Sequence, residues 1–554
     1  MTTVRLRRWQ KEALDLLVSS PSADFLVVAT PGAGKTTFAL AAAVADLGLH
    51  PTRKVVVVVP TSHLKLQWAT AASRFGLHLE PVWSSTAGRL PADMHGMVVT
   101  YQQVAANPAS LRSHAHRCVV VLDEVHHTGE DRRWGEAVHH AFAPSPARLG
   151  LSGTPFRSDT RAIPFVRYVN DEARADFEYG YAAALADRNV VRPVWFPAIG
   201  GHMEWAGPDG TLNAAGFDDT LDQVRSAQRL RTALDLGGEW LPAVLAQADE
   251  KLLSLQADDP RAAGMVIAAD QEHAKGIVKV LRELRRMRVV LATSDDPAAS
   301  RRIAEFAEGS APWLVAVRMV SEGVDIPRLR LGVYATTTTT ELFFRQAVGR
   351  FVRHTGGSAS SERAWLFIPD DPRLRRWAST VAEARRHILR ARADVGIEPP
   401  DAPEQALGGA PDGEAGRQLS LFEALSASGA EAVATIEAGT ARLEAGRDDQ
   451  VAALDAADDV DTSVTVTLPL PPPPSGASRP FRAHQEAAGV PLAQLKRQLR
   501  SRNAELARQL ARRGRVSHQD VNASLNRAVG IVSVAGATLD QLAARAEQAE
   551  RWLG

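Results

Sequence analysis

Short apolar runs alternate with longer segments of helical composition in the first 195 residues of the chain. The runs Phe25–Ala29, Val55–Val59 and Val119–Leu122 have the length of buried strands. Phe38–Ala45, which follows the first run and a glycine-rich turn, has the composition of a helix. Because strands that alternate with helices form a parallel sheet covered by helices, we expect an α/β lobe over residues 1–195.

The alternation returns in residues 256–398. Between the two regions lies a connector, residues 196–255, which begins with a hairpin or loop and then becomes helical. A threonine run at residues 336–340 is interpreted as the end of a strand and the loop before a helix over Leu342–Val352. The strand candidates are Met265–Ala268, Val289–Leu291, Leu314–Val317, Leu331–Tyr334 and Ala364–Phe367. A second α/β lobe with a parallel sheet is therefore predicted.

Residues 399–480 differ in composition and are interpreted as an acidic linker. Pro399-Pro400, scattered glycines and the proline run 468–474 favour flexible or extended chain. Residues 401–461 contain 14 Asp/Glu against 3 Arg and no Lys, so DNA is not expected to bind there. A short amphipathic helix over Glu431–Leu454 is the alternative for part of this stretch.

Residues 481–554 are predicted to form a small helical domain that is basic at its start. From Arg482 to Arg515 there are 9 Lys/Arg against 2 Glu. Such a face can neutralise phosphates, although a solvated helix surface explains the same charges. The candidate core positions of this bundle are Leu525, Val529, Val532, Leu539, Leu542 and Trp552.

Composition narrows the classes of protein. Lys and Arg total 64, as do Asp and Glu, so a nucleic-acid surface would have to come from local segregation of charge. The single cysteine, Cys118, excludes an internal disulfide and a cysteine-cluster zinc site, and its place at a strand edge favours burial. No apolar run has the length of a signal-peptide core or of a membrane span, so a cytoplasmic protein is expected.

The first candidate site is the turn Ala-Thr-Pro-Gly-Ala-Gly-Lys-Thr at residues 29–36. Strand, glycine turn and helix is the context that a phosphate loop requires, whereas a glycine turn before a core helix is the alternative. Lys35 would contact the β- and γ-phosphates of ATP, and the Thr36 hydroxyl would hold magnesium. Ala29 stands where the strict pattern has glycine. The predicted nucleotide-binding residues are Thr30, Pro31, Gly32, Ala33, Gly34, Lys35 and Thr36.

The second candidate site is the carboxylate pair Asp123 and Glu124, which follows the apolar run Val119–Leu122. The carboxyl end of a strand is where open α/β sheets bind ligands. Asp123 could hold magnesium through water, and Glu124 could orient and deprotonate an attacking water. A solvated strand end is the alternative, but the preceding phosphate loop favours a catalytic pair.

The third candidate site is the segment Gln346–Arg353, which has the sequence Gln-Ala-Val-Gly-Arg-Phe-Val-Arg. On the predicted helix, Arg350 and Arg353 are three residues apart and share one face. Arginines from a second lobe can stabilise the charge of a phosphoryl-transfer transition state. Hydrolysis would then be linked to closure of a cleft, whereas a surface helix is the alternative for an isolated Arg-x-x-Arg. Gln346, Arg350 and Arg353 are therefore predicted catalytic residues, with Lys35, Asp123 and Glu124.

In order and spacing, these motifs resemble the superfamily-two DEAD/DEAH-box-type helicases, and within them the XPB-like and type I/III restriction-translocase (ResIII) group. The resemblance covers residues 1–370. It implies two tandem RecA-like lobes, ATP and magnesium as cofactors, and DNA as a partner in preference to RNA. It also implies movement along one strand in the 3′ to 5′ direction.

Further residues take their roles from this resemblance. Leu6–Gln10 resembles the element whose glutamine, here Gln10, contacts adenine. Leu149–Arg157 resembles the motif that couples hydrolysis to movement, although it reads Ser-Gly-Thr-Pro where XPB-like proteins tend to have Thr-Ala-Thr. The other implied roles are a nucleic-acid backbone contact for Pro60, Thr61, Thr100 and Tyr101, coupling for His126, Ser152 and Thr154, and nucleotide binding for Asp325 in the segment Ser321–Pro327.

Inside the acidic linker, Gln418-Leu-Ser-Leu-Phe422 resembles the bacterial sliding-clamp-binding peptide. A flexible tether could present its apolar side chains to a groove, with the glutamine fixing orientation. An amphipathic turn that packs back on a lobe is the equal alternative. The predicted clamp contacts are Gln418, Leu419, Leu421 and Phe422.

Two hypotheses for function follow from the sequence. The first is an ATP-driven DNA helicase or translocase, and the second is an ATP-gated nucleic-acid-binding switch that does not unwind processively. The predicted architecture is α/β, with two RecA-like parallel-sheet lobes, a linker and a small C-terminal helical domain, and it is compatible with a monomer.

Overall fold

The computed structural model describes residues 2–85, 89–129, 132–153, 162–169, 172–187, 190–207, 210–285, 288–293, 296, 299–317, 326–354, 363–393, 423–436, 463–469, 471–472, 474 and 490–554. The helices are α1 (Arg8–Ser19), α2 (Lys35–Leu49), α3 (Ser62–Ser73), α4 (Tyr101–Ala106), α5 (Pro108–Ala115), α6 (Arg132–Phe142), α7 (Tyr181–Ala186), α8 (Gln223–Ala233), α9 (Trp240–Asp258), α10 (Gln271–Arg285), α11 (Ala299–Glu308), α12 (Glu341–Val348), α13 (Pro372–Ala393), α14 (Leu492–Gly514), α15 (His518–Ala528) and α16 (Leu539–Leu553).

The strands are β1 (Thr2–Arg7), β2 (Asp24–Ala29), β3 (Lys54–Val59), β4 (Leu79–Glu80), β5 (Gly96–Thr100), β6 (Cys118–Leu122), β7 (Ala147–Ser152), β8 (Arg167–Val169), β9 (Glu172–Arg174), β10 (Phe177–Tyr179), β11 (Val194–Ile199), β12 (His202–Ala206), β13 (Leu212–Gly216), β14 (Ala263–Ala268), β15 (Val289–Ala292), β16 (Trp313–Val317), β17 (Leu329–Ala335), β18 (Ala364–Pro369), β19 (Glu423–Ser428), β20 (Ala432–Ile436) and β21 (Ser463–Leu468). Two compact units result: unit 1 contains Met1–Ala29, Gly34–Glu178 and Asp461–Gly554, and unit 2 contains Thr30–Ala33 and Tyr179–Val460.

The main sheet of unit 1 has the strand order β10-β2-β7-β6-β3-β5-β4, and its pairs from β2 to β4 are parallel. The valine runs of β3 and β6 are buried because helices cover the sheet, and α4, α5 and α6 pack on one face. Cys118 is buried at the start of β6, as predicted. The predicted α/β lobe with a parallel sheet is confirmed.

The main sheet of unit 2 has the strand order β15-β16-β14-β17-β18-β11-β20. Its strands are parallel from β15 to β11, and β20 is antiparallel to β11. Helices α8, α9 and α10 contribute to the core on one face of the sheet. All five predicted strands are present as β14 to β18, and the threonine run follows β17 as a loop. The second parallel-sheet lobe, and with it the tandem RecA-like architecture, is confirmed.

Part of the predicted linker adds strands to two sheets of unit 2. Strand β20 pairs with β11, with Phe196 opposite Ile436, and β19 pairs with β12 in a small antiparallel sheet that also contains β13. A helix over Glu431–Leu454 is therefore wrong for residues 432–436, because pairing with an available sheet edge overrides local helical preference. Residues 437–454 lie outside the described residues.

A second part of the linker runs along unit 1. Strand β21 pairs antiparallel with β1, so that Val464 lies opposite Leu6. Farther along, Pro469 lies against Gly48, and Pro472 accepts a 2.9 Å hydrogen bond from His95 Nε2. The N-terminal strand and the C-terminal segment Asp461–Gly554 thus belong to one compact unit.

Helix α14 packs against α3, and a buried ion cluster fixes it to the part of unit 1 that contains Glu80 and Asp93. The Lys496 ammonium is fully buried, 3.1 Å from Asp93 Oδ1 and 3.3 Å from Glu80 Oε2. Arg500 donates to both Glu80 oxygens at 2.9 and 2.8 Å, and Leu539 N donates to Asp93 at 2.9 Å. Two residues predicted for an exposed basic face are therefore internal.

The C-terminal helices confirm only some of the predicted core positions. The buried ones are Leu525, Leu539 and Leu542. Val532 is 98% exposed and Trp552 is 42% exposed, so these two predictions are wrong. Helix α15 ends at Ala528, and Gly530 adopts a φ of +67°. Val532 therefore lies beyond the helix and does not continue its buried face. Leu506 and Ala507 of α14 contribute to this core.

We expect unit 1 to lose stability at mildly acidic pH because of two buried histidines. His78 N donates to His95 Nδ1 at 2.9 Å, and burial lowers the pKa of each imidazole to about 4. The unfolded chain, with a histidine pKa near 6.5, binds more protons between pH 6.5 and 4. Above pH 6.5 the two histidines therefore do not lower the free energy of unfolding. At pH 5 each of them lowers it by about 2 kcal/mol. Urea unfolding at pH 7 and pH 5 measures this loss of unfolding free energy. If a double variant with His78→Gln and His95→Gln lost as much between the two pH values as the parent protein, the two histidines would not be its cause.

Within the described ranges, no helix is both long enough and apolar enough to cross a membrane.

Candidate functional site

The predicted phosphate loop connects β2 to α2. Gly32 and Gly34 have φ values of +82° and +94°, a region that favours glycine, and Gly34 directly precedes the first residue of α2, Lys35. A Cβ on Gly34 would also lie 2.6 Å from Gln10 Nε2. The left-handed backbone is what favours glycine at position 34, and a Cβ there would also displace the Gln10 amide. The turn leads into the N-terminus of a 15-residue helix, where backbone N–H groups and the helix dipole favour an anion.

Gln10 supports this loop from α1. Its Nε2 donates to the Gly34 carbonyl at 2.9 Å, and its Oε1 accepts from Arg7 N at 2.8 Å. The side chain is 2% exposed. The glutamine predicted to contact adenine is thus held directly beside the phosphate loop, at the junction of β1 and α1.

Lys35 and the acidic pair converge within unit 1. The Lys35 ammonium lies 3.2 Å from Glu124 Oε1 and donates to the Ala29 carbonyl at 3.2 Å. Glu124 has a φ of +48°, an uncommon conformation for a residue other than glycine, and its Oε2 accepts from Gly153 N at 3.1 Å. A strained backbone at the end of a buried strand is a common property of functional sites.

The two carboxyl groups differ in their surroundings. Burial raises the pKa of Asp123, and the charge of the adjacent Glu124 raises it further, against an opposing hydrogen bond from Trp68. Burial also acts to raise the pKa of Glu124, but Lys35 and His126 outweigh it, so that this pKa is lowered. Glu124 is the carboxylate that the site keeps ionised.

Two of the predicted coupling residues are in contact. His126 Nδ1 lies 3.0 Å from Ser152 Oγ and 3.6 Å from Glu124 Oε2. His126 and Ser152 are almost completely buried. The segment after β6 and the end of β7 are therefore connected through one imidazole. The predicted partner Thr154 lies outside the described residues.

The two side chains predicted to hold magnesium both lie in unit 1 and carry suitable oxygen atoms. Thr36 lies in the first turn of α2, and Asp123 lies at the carboxyl end of β6. Asp123 Oδ2 accepts from Trp68 Nε1 at 2.9 Å, which leaves Oδ1 as the second acceptor. Carboxylate and hydroxyl oxygens are ligands that magnesium prefers.

The residues predicted to contact a nucleic-acid backbone fall into two groups. Pro60 and Thr61 are partly exposed just before α3, and Thr61 Oγ1 lies 3.1 Å from His63 Nδ1. Thr100 is buried and caps α4 by accepting from Gln103 N. Tyr101 is fully buried, and its hydroxyl donates to the Asp123 carbonyl at 2.9 Å. Contact of the Tyr101 side chain with nucleic acid would require this packing to open.

The third predicted segment lies in unit 2 and differs from the expected helix. Helix α12 ends at Val348, so Gln346 is helical and Arg350 and Arg353 are not. The helix ends early for a local reason. Arg353 forms a β-bridge with Val191, and Arg192 N donates to Val352 O at 2.6 Å. The two arginines therefore do not share a helix face. Arg350 lies in the turn after α12 and Arg353 follows that turn, and the two residues between them, Phe351 and Val352, are buried.

Unit 2 also contains Thr30–Ala33, the first half of the phosphate loop. Within that unit, a Cβ on Gly349 would lie 2.5 Å from Pro31 Cβ, and a Cβ on Gly32 would lie 3.3 Å from Arg353 Cγ. The glycines at positions 349 and 32 thus leave room for the side chains of Pro31 and Arg353, respectively. Of the other predicted residues, Asp325, Gln418, Leu419, Leu421 and Phe422 lie outside the described residues.

Two residues of this site were not predicted. Trp68 donates to Asp123 Oδ2, and Gly153 N donates to Glu124. Trp68 lies on α3, about two turns beyond Pro60 and Thr61, which were predicted for nucleic-acid contact, and its residue type gave no sign of a role at Asp123. Gly153 adjoins the predicted coupling residue Ser152, and its contribution is a main-chain N–H that side-chain patterns do not report.

Comparison with known proteins gives the following similarities. Residues 3–157 match the family model described as type III restriction enzyme, res subunit. An uncharacterized protein of Mycobacterium leprae is 46% identical over 393 residues, which are 69% of this chain and 65% of the relative. The DNA 3′-5′ translocase XPB2 of Sulfurisphaera tokodaii is 24% identical over 370 residues, covering 63% of this chain and 79% of the relative.

Among solved structures, a fragment of a putative HsdR subunit of a type I restriction enzyme from Vibrio vulnificus is 18% identical with a TM-score of 0.47, covering 67% of this chain and 65% of that one. The present chain spans just under two thirds of the length of the Mycobacterium leprae relative.

Proposed function

We propose that this chain, whose residues 3–157 match the family model described as type III restriction enzyme, res subunit, is an ATP-driven DNA helicase or translocase of the superfamily-two type. The observation that carries the proposal is the convergence of Lys35, Glu124 and Gly153 beside a glycine turn that opens a helix. These are the parts that phosphoryl transfer requires: a cationic phosphate contact, a base and donors aimed at the site.

Lys35 and Glu124 would exchange partners during the cycle. Lys35 now neutralises Glu124, at 3.2 Å. When the ammonium turns to the β- and γ-phosphates of ATP, Oε1 of Glu124 becomes available to accept a proton from the attacking water, while Gly153 N continues to hold Oε2. Thr36 and, through water, Asp123 would hold magnesium, which neutralises phosphate charge.

The remaining assignments complete the reaction from other parts of the chain. Gln346, Arg350 and Arg353 are proposed to stabilise the transferring phosphoryl group, and Asp325 to contact the nucleotide. Ser152 and His126, which are in contact, would transmit the state of Glu124 to the segment after β7. Hydrolysis would thereby alter how the protein holds nucleic acid.

DNA is the proposed partner, with Pro60 and Thr61 at its backbone, and 3′ to 5′ is the proposed direction because the XPB2 relative is a DNA 3′-5′ translocase. We further propose a cytoplasmic protein whose segment Gln418–Phe422 binds a sliding clamp. An ATP-gated nucleic-acid-binding switch is the second candidate, since the ATP-site geometry serves both.

ATP hydrolysis with single-stranded DNA, duplex DNA or RNA, together with displacement of a strand from 3′- and 5′-tailed duplexes, tests the proposal. We expect stimulation by DNA and displacement only from the 3′-tailed substrate. Lys35→Ala should abolish hydrolysis because it removes the phosphate contact. Stimulation of hydrolysis by nucleic acid without strand displacement would favour the switch. Hydrolysis that neither DNA nor RNA stimulates would contradict both candidates.

A further inference from the structure

The indole of Trp68 makes a direct hydrogen bond to the carboxylate proposed for magnesium. Trp68 lies on α3 and is 2% exposed, and its Nε1 donates to Asp123 Oδ2 at 2.9 Å. Tyr101, on α4, donates to the main-chain carbonyl of the same residue at 2.9 Å. Asp123 N also donates to the Val58 carbonyl at 2.9 Å, so Asp123 is held at both its backbone and its side chain.

An indole N–H can only donate, and it has a single hydrogen. Its bond to Oδ2 therefore fixes the rotation of the carboxylate and leaves Oδ1 as the less committed oxygen. The helix that carries Trp68 is itself fixed, because Lys65 on α3 donates to Gln103 Oε1 at 2.9 Å and α14 packs against α3. The indole is a rigid support for the carboxylate.

Burial alone does not explain this bond. Trp83, also in unit 1, is 1% exposed, and within the described residues its Nε1 has no hydrogen-bond partner. The fold therefore tolerates a buried indole N–H that is unsatisfied. The pairing of Trp68 with Asp123 is a specific feature of the site.

We propose that Trp68 is a positioning residue that orients Asp123 to hold, through a bound water, the magnesium ion of the nucleotide. The proposal rests on the proposed ATPase function, which assigns magnesium to Asp123. Partners that hydrogen-bond to a metal ligand orient it, and their removal typically lowers metal affinity by about 10- to 100-fold. Trp68 would act in this way without touching nucleotide or metal.

The test is Trp68→Phe in the full chain, which keeps an aromatic ring and removes the N–H. Binding of a fluorescent ADP analogue is measured with and without Mg²⁺, and binding of Mn²⁺ to the ADP complex is measured by electron paramagnetic resonance. We expect ADP affinity without metal to change less than about twofold, and Mn²⁺ affinity to fall by about tenfold or more. Replacement of Trp68 by benzothienylalanine, which keeps the bicyclic shape, provides the same comparison if the phenylalanine variant does not fold.

Trp83→Phe is the matched control, because it removes a buried indole N–H without a partner in the described part of unit 1. Equal Mn²⁺ affinity in the two variants would overturn the role of Trp68. A parent protein that binds ADP with no contribution from metal would instead overturn the assignment of magnesium, and with it the proposed function on which this inference depends.

Discussion

Replacing Glu124 by Gln is expected to lower the rate of ATP hydrolysis by about 10²- to 10⁴-fold, the usual contribution of a positioned general base. The amide keeps the size of the side chain and can still accept the hydrogen bond from Gly153 N. It cannot take a proton from water. Nucleotide affinity should therefore remain close to that of the parent protein, because Lys35 and the loop glycines are unchanged. Steady-state phosphate release and binding of a fluorescent ATP analogue separate the two effects.

Glu12→Gln is the control for this variant. Glu12 is an exposed carboxylate of unit 1 that pairs with Arg8 on the surface of α1. Surface pairs of this kind contribute little, so the control should hydrolyse ATP at the parent rate. A Glu124→Gln variant that retained more than about a tenth of parent turnover would show that another group removes the proton.

The sequence predicted the local geometry of the site where that geometry depends on a few adjacent residues. A glycine turn needs left-handed backbone at particular positions, and Gly32 and Gly34 adopt it. Asp123 follows a run of apolar residues that can only be a buried strand, so its position at the strand end followed from β6 alone. Local rules of this kind determine geometry without information from the rest of the chain.

Contacts between distant segments could not be predicted in this way. Lys496 and Arg500 lie in a basic helical stretch, and only the fold brings them to Glu80 and Asp93, some four hundred residues earlier. A charged residue is usually exposed, so the pattern favoured a solvated face. The same holds for β21, which lies within the predicted linker and whose partner, β1, is at the other end of the chain.

The helix containing Gln346 shows a third kind of limit. Its residues favour helix up to Val352, but the structure ends α12 at Val348 because the next residues pair with the segment around Val191. Helical propensity is worth a few tenths of a kcal/mol per residue, and tertiary pairing readily overrides it. The catalytic roles of Gln346, Arg350 and Arg353 stay a prediction, whereas the helix face that Arg350 and Arg353 were predicted to share is wrong.

Lys496→Met is expected to destabilise unit 1 by about 3–5 kcal/mol, the cost of leaving buried charges without their partner. Glu80 and Asp93 are buried, and both lie within hydrogen-bonding or ion-pair distance of the lost ammonium. Burial acts to raise the pKa of Glu80, and Arg500 together with Lys496 lowers it below its ordinary value. In the variant, Arg500 would remain as the cation for Glu80, and Asp93 would keep only neutral donors such as Leu539 N. The urea midpoint and hydrogen exchange of α14 and β4 measure the effect.

Arg497→Met supplies the control, since it removes a positive charge at the next position of α14, where the side chain is exposed. It should change stability by less than about 0.5 kcal/mol. If both variants unfolded at the parent urea concentration, the buried cluster would not be what fixes α14 within unit 1.

If Lys496→Met alone increased hydrogen exchange in α14 and in α3, the C-terminal helices would be part of the support for the helix that carries Trp68. Loss of that support should then weaken metal binding in the same direction as Trp68→Phe, although neither Lys496 nor α14 belongs to the ATP site.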